Sequence, residues 1–107
     1  MAERIRRHLI FSGAVQGVGF RWRARHAAQL YGCTGWCRNR WDGSVEMEIQ
    51  GTEAQIDKVI LSIEAGRYVR IENLVSRSLP PSRASETSAP TDLSVFRFLA
   101  KAQNAKL

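Results

Sequence analysis

The segment SVEMEIQ, residues 44–50, alternates apolar and polar side chains along its whole length. The apolar side chains are Val45, Met47 and Ile49, and the polar ones are Glu46, Glu48 and Gln50. Because successive side chains of a strand point to opposite faces of a sheet, this pattern predicts one buried face and one face in water. Asp42-Gly43, just before the segment, is a turn signal that joins it to the preceding strand as a hairpin.

Four further strands and a first helix are predicted around this segment. The strands are placed at residues 5–12, at 34–40, within 68–77 and at 93–100. The first helix is predicted over residues 21–32, because Ala24, Ala27 and Ala28 recur at helical spacing and Gly32 supplies a C-cap.

A second helix is predicted to begin after Thr52. The Thr52 hydroxyl can cap the helix, and Gln55, three residues later, completes a capping box. We expect Gly66 to end this helix. Its inward side chains are predicted to be Ile56, Val59, Ile60 and Ile63.

The element order is β-α-β-β-α-β with a short fifth strand, which is the ferredoxin-like split βαβ plan of the α+β class. It predicts an antiparallel sheet with both helices on one face. We expect a single domain over residues 1–100, interrupted by a polar, Pro- and Ser-rich loop at 79–92, and a C-terminal tail at 101–107. This fold serves unrelated functions, so the function has to be argued from a site.

Charge and composition narrow the function classes. The 107 residues carry a formal net charge of +6, which favours anionic partners, either a phosphorylated small molecule or nucleic acid. We expect no membrane partner, because no apolar run approaches the ~18–20 residues of a membrane helix. Without a secretory signal the protein is predicted to be cytoplasmic. The spacing of Cys33 and Cys37 fits no common metal site, so we expect reduced thiols and no metal.

The stretch GAVQGVGFR, residues 13–21, is the strongest candidate for a binding site. Glycines between a strand and a helix allow successive backbone N–H groups to point into one concavity, where the helix N-terminus adds its own N–H groups. Arg21, at the start of that helix, can present a planar fork of donors to phosphate oxygens. A tight connection with an incidental arginine is the alternative. The loop has neither the Walker A ending nor the context of a dinucleotide fingerprint.

GAVQGVGFR, together with GWCRNRWDGSVEMEIQG at residues 35–51, closely resembles the acylphosphatase family. The family pattern is G-x-V-Q-G-V-x-F-R, then G-W-V-x-N, D-G-x-V-E and Q-G. The resemblance implies hydrolysis of small-molecule acyl phosphates without a metal or other cofactor. It implies that Arg21 binds the phosphate and that Asn39 holds the attacking water. The implied backbone cradle consists of Gln16, Gly17, Val18, Gly19 and Phe20.

The chemistry of these residue types agrees with the implied roles. A carboxylate is a good leaving group, so positioning and charge neutralisation by backbone N–H groups and an arginine can suffice. An asparagine offers both an acceptor and donors to orient a water. Two departures from the pattern, Ala14 where relatives often carry arginine and Cys37 in place of valine, leave Arg21 and Asn39 intact.

Two alternatives stay open at this stage. The first is a non-enzymatic anion- or nucleic-acid-binding module with the same fold, although the strands lack the aromatic pattern of RNA-binding sheets, so we expect no nucleic-acid partner. The second concerns Trp22 and Trp41, which either flank the mouth of the site or cover the sheet edge. We expect surface or structural roles for His8 and His26, and a monomeric protein.

Overall fold

A computed structural model describes residues 3–81 and 95–98 of the chain. The strands are β1 (Arg4–Ala14), β2 (Thr34–Asn39), β3 (Val45–Thr52), β4 (Arg70–Leu79) and β5 (Phe96–Phe98). The helices are α1 (Phe20–Tyr31) and α2 (Glu53–Glu64). The five strands form one sheet in the order β4-β1-β3-β2-β5, and every neighbouring pair is antiparallel. The predicted ferredoxin-like α+β plan is confirmed.

Helices α1 and α2 pack against each other and cover one face of the sheet. The alternation in β3 works as predicted, because Val45, Met47 and Ile49 are all fully buried beneath the helices. From α1 the small side chains Ala27 and Ala28 are buried at this surface, which lets the helix lie close to its neighbours. Three apolar side chains of α2 complete this part of the core, namely Ile56, Val59 and Ile63.

Both predicted helix caps are present. The Thr52 hydroxyl accepts a hydrogen bond from the backbone N–H of Gln55, whose side chain accepts one from the backbone N–H of Thr52. Gly32, with φ 77°, donates its N–H to the carbonyl of Ala28 at the end of α1. These local hydrogen bonds satisfy backbone groups that a helix terminus otherwise leaves unpaired.

The other face of the sheet carries ion pairs rather than a second layer of helices. Glu46 accepts hydrogen bonds from His8 at 2.8 Å and from Arg38 at 2.9 Å, and Glu48 pairs with Arg6. The expectation that this whole face is in water is wrong for Gln50, which is 7% exposed. Gln50 lies near the end of β3, where it pairs with Arg6 of β1 on one side and with Thr34 of β2 on the other, and the adjacent strands cover it.

One segment boundary at the glycine stretch differs from the prediction. Strand β1 extends through Gly13 and Ala14, which we expected in the loop. Its register against β4 shifts between Ser12 and Gly13, and Gly13 adopts φ 123° there. A Cβ on Gly13 would lie 2.3 Å from the carbonyl oxygen of Arg70, so this glycine permits the close approach of β4.

The end of α2 also differs. The helix ends at Glu64 with Ala65 as its C-cap, not at Gly66. Gly66 is not among the residues with positive φ. A Cβ at this position would lie 2.7 Å from Nε of Arg23, so the glycine makes room for a side chain of α1.

Strand β4 reaches Leu79, the first residue of the predicted 79–92 loop. Residues 82–92 of that loop, the outer residues of the predicted 93–100 strand and the 101–107 tail lie outside the described residues. The domain limits therefore stay predictions.

Candidate active site

The connection between β1 and α1 consists of residues 15–19. Gly17 and Gly19 adopt φ 74° and φ 81°, a left-handed conformation that glycine enters without a Cβ penalty. Gly19 is the N-cap of α1, and no side chain accepts a hydrogen bond at this cap. The first helical N–H groups have no acceptor within the helix, and the first turn of α1 contains no acidic residue. The helix therefore presents the positive end of its dipole without a carboxylate to compensate it.

Arg21 lies in this first turn of α1. Its guanidinium carbon is 4.5 Å from the ring centroid of Phe96 on β5, a distance typical of a cation–π contact. Phe96 belongs to the edge strand beside β2. The contact restricts the long Arg21 side chain to one part of the sheet edge. Less side-chain entropy is therefore lost when Arg21 binds an anion.

Asn39 is the last residue of β2 and pairs with Val45 of β3. The hairpin turn beyond it is closed by a hydrogen bond from the Arg40 N–H to the Ser44 carbonyl at 2.8 Å. Asp42 accepts hydrogen bonds from the backbone N–H and the hydroxyl of Ser44. The side-chain hydrogen bond is the main cause that lowers the pKa of Asp42, so the turn is held by a charged acceptor at neutral pH.

The side chain of Gln16 joins the glycine loop to this hairpin. Its Nε2 donates to the carbonyl of Arg40 at 2.6 Å and to the carbonyl of Ser44 at 2.9 Å. We predicted only a backbone contribution from Gln16, and a single sequence gives no signal for a bond across 24 and 28 residues. Gln16 thereby couples the loop that begins α1 to the turn that follows Asn39.

Arg21 and Asn39 line the same cavity, which has a volume of about 190 Å³. Of the predicted cradle, Gly17, Gly19 and Phe20 also line it, whereas Gln16 and Val18 do not. Val18 packs against the hydrophobic core instead.

Three residues that line the cavity were not predicted as site residues, or their position was left open. They are Val15, Trp22 and Phe96. Trp22 is thus at the mouth of the site, as one of the two alternatives had it, while Trp41 is 93% exposed in the hairpin turn and is not part of the lining. Val15 could have been predicted from its position, because it is an apolar residue within the glycine loop. Phe96 is brought in only by the pairing of β5 with β2.

Within residues 3–81 and 95–98, no three His, Cys, Asp or Glu side chains come together as metal ligands. Across the same ranges, no helix combines the length and the hydrophobicity that crossing a membrane requires.

The family model for acylphosphatases matches residues 7–88, which include the glycine loop, α1, the β2–β3 hairpin and Asn39. The chain belongs to the acylphosphatase family. An acylphosphatase of Koribacter versatilis is 40% identical over 94 residues, which cover 87% of this chain and 77% of that protein. An acylphosphatase of Geobacillus kaustophilus is 49% identical over 59 residues, 55% of this chain.

A solved acylphosphatase structure from Coxiella burnetii superposes with a TM-score of 0.69 at 27% identity, over 78% of this chain and 90% of that one. The agreement extends from the acylphosphatase sequence motifs to the arrangement of the strands and helices. The match to the Geobacillus kaustophilus acylphosphatase spans 63% of that protein's length.

Proposed function

We propose that this protein hydrolyses acyl phosphates to a carboxylate and inorganic phosphate without a metal ion. The observation that carries the proposal is the shared cavity, in which Arg21 and the N-terminus of α1 meet Asn39 from β2. Membership of the acylphosphatase family supports the same reaction.

The phosphoryl group binds at the start of α1. The N–H groups of the glycine loop and of the first helical turn donate to its oxygens, and the helix dipole favours its negative charge. The guanidinium of Arg21 donates to the same group from the side of Phe96 and neutralises charge that develops in the transition state.

Asn39 orients the attacking water through its side-chain carbonyl oxygen. The water oxygen forms a bond to phosphorus in line with the acyl oxygen, and the bond from phosphorus to that oxygen breaks. The electron pair of the broken bond leaves on the carboxylate. Because an uncharged amide is a weak base, the proton of the water passes to a phosphate oxygen of the substrate rather than to Asn39.

The test is hydrolysis of benzoyl phosphate by the purified protein, with EDTA present throughout. We expect Arg21→Ala to lower kcat/KM by about 100- to 1,000-fold, because a charge-assisted contact to the transition state is removed. We expect Asn39→Ala to lower kcat by about 100-fold, because the water loses its position. In Asn39→Ala the inhibition constant of inorganic phosphate should stay close to that of the wild type.

Arg23→Ala is the matched control, since it removes the same charge from the same helix. The Arg23 side chain lies against Gly66 and does not line the cavity, so its loss should leave turnover near the wild-type rate. A folded wild-type protein that does not exceed the spontaneous rate would refute the proposed activity and favour an anion-binding module. The cytoplasmic location and the monomeric state stay predictions.

A further inference from the structure

A second cavity lies on α1 beside the one that holds Arg21 and Asn39. It has a volume of about 110 Å³ and is lined by Trp22, Arg25, His26 and Gln29. Trp22 also lines the first cavity, so the two cavities adjoin the same residue. A ligand in the first cavity that extends along Trp22 can therefore approach the side chains of the second.

The Trp22 ring is stacked on the ring of His26, which lines the second cavity but not the first. The Trp22 and His26 rings are parallel within 9°, with their centroids 5.1 Å apart. Trp22 is 62% exposed and does not belong to the core, so the fold gains little from it there. The outer face of this stack offers a flat surface against which the body of an organic ligand can lie.

Arg25 supplies the charge of the second cavity. It follows Arg21 by one helical turn, and its guanidinium carbon is 5.8 Å from the centroid of the Phe96 ring that Arg21 also contacts. Like charges four residues apart on a helix repel each other, which is a cost to stability that a second anion would offset. In the described part of the chain, none of the ion pairs involves Arg25.

The reaction geometry limits where the acyl group can lie. Asn39 lines the first cavity from β2, and Trp22 lines it from α1. In-line displacement places the leaving group on the side of phosphorus away from the water. A water held at Asn39 therefore places the leaving carboxylate on the side of phosphorus that faces away from Asn39.

Resting on the proposed acylphosphatase function, we propose that Trp22, Arg25, His26 and Gln29 form a subsite for the acyl group. This subsite favours acyl phosphates whose acyl group carries a second anionic group, a carboxylate or a phosphate. Arg25 is the specificity-determining residue, and its backbone lies about 6 Å along the helix from that of Arg21, the rise of four residues. The acyl group lies on the Trp22–His26 rings between the two arginines.

The test compares two acyl phosphates that differ only in a distant anion, benzoyl phosphate and 4-carboxybenzoyl phosphate. The rigid ring keeps the second carboxylate from reaching the acyl carbon, so both substrates react by the same route. After the spontaneous rates are subtracted, we expect the wild type to favour the carboxylated substrate by roughly three- to tenfold in kcat/KM, the range for a partly exposed charge pair.

The decisive measurement is this preference in Arg25→Gln, with Arg23→Gln as the matched control. Both variants lower the net charge by one unit on the same helix, so any general attraction of anions to the basic surface changes equally. We expect Arg25→Gln to reduce the preference to near one and Arg23→Gln to retain it. Arg25→Lys should keep part of it, since a point charge remains without the planar fork.

The outcomes separate the two proposals. If the wild type hydrolyses both substrates at equal efficiency, or if Arg25→Gln and Arg23→Gln show the same preference, the subsite is refuted while the acylphosphatase activity stands. If the folded wild type hydrolyses neither substrate, the activity itself is refuted. Thermal unfolding of each variant checks that the substitution has not altered the fold.

Discussion

Gln16→Met tests whether the glycine loop and the hairpin act as one unit. Methionine keeps most of the volume of the side chain but removes both donors, which reach the carbonyls of Arg40 and Ser44 at 2.6 and 2.9 Å. Each carbonyl also accepts a backbone hydrogen bond within the turn, so neither becomes an isolated buried acceptor. The net loss is therefore about 1–2 kcal/mol of unfolding free energy, or roughly 5–15 °C in Tm for a domain of this size.

The effect on catalysis should exceed the effect on phosphate binding. Arg21 and the N-terminus of α1 remain in place, whereas the loop is no longer attached to the turn that follows Asn39. A displacement of the water from the phosphorus on the order of 1 Å lowers kcat by about 100-fold. We expect kcat for benzoyl phosphate to fall by roughly 10- to 100-fold, with a much smaller change in the inhibition constant of phosphate.

A double-mutant cycle with Asn39→Ala makes this reasoning falsifiable. If Gln16 acts by positioning Asn39, the double variant should be about as slow as Asn39→Ala alone, because the positioned group is already missing. Gln16→Glu should be at least as impaired as Gln16→Met, since a carboxylate would face two carbonyl oxygens. Multiplicative losses in the double variant, or an unchanged kcat in Gln16→Met despite a lower Tm, would refute the coupling.

Three further predictions concern the fold. Gly35→Ala should lower the unfolding free energy by more than about 3 kcal/mol, because a Cβ there would lie 1.9 Å from a carbonyl oxygen of β3. Gly43→Ala, in a turn with open space around it, should cost only about 1–2 kcal/mol of backbone strain. Equal Tm values for the two variants would contradict this. Burial raises the pKa of Glu46, but hydrogen bonds from His8 and Arg38 outweigh it and hold the pKa below its usual value. The stability that these bonds supply is therefore present above the ordinary pKa of a glutamate, and it is lost as the pH falls through the lower folded pKa. Glu46→Gln should reduce the loss of unfolding free energy at acid pH, measured by denaturant titration at a series of pH values. An unchanged pH dependence would show that this carboxyl does not contribute to it. Burial raises the pKa of Cys33 to about 11 and of Cys37 to about 12. Iodoacetamide, followed by mass spectrometry, should therefore label both thiols far more slowly in the folded protein than after unfolding. Rapid alkylation of the native protein would contradict their burial.

The local features of the fold were predictable because their physical causes are local. The capping box of Thr52 and Gln55 and the terminal Gly32 each satisfy backbone groups within a few residues. The alternation in β3 likewise needs only the two faces of one strand. Burial of Gln50 could not be predicted in this way, because it depends on the strands that pair on both sides of it.

The candidate site also combines features that local sequence predicts with features that it does not. The glycine loop, Arg21 and Asn39 were predicted from motifs that lie within short stretches of sequence, and their roles stay predictions. The hydrogen bonds of Gln16 from the loop to the hairpin and the contact of Phe96 with Arg21 had no such signal. Both depend on segments that are distant in the chain and adjacent only in the folded sheet.

The sequence by itself therefore determined the order and type of the elements and the residue types available for binding phosphate. Turn chemistry, capping and hydrophobic periodicity act over distances of a few residues, and they can be read from a single chain. The tertiary structure decided which glycines serve close packing, as Gly13 and Gly66 do, and which shape a cavity, as Gly17 and Gly19 do. That distinction arises from strand pairing and helix packing, which bring together atoms that no local pattern relates.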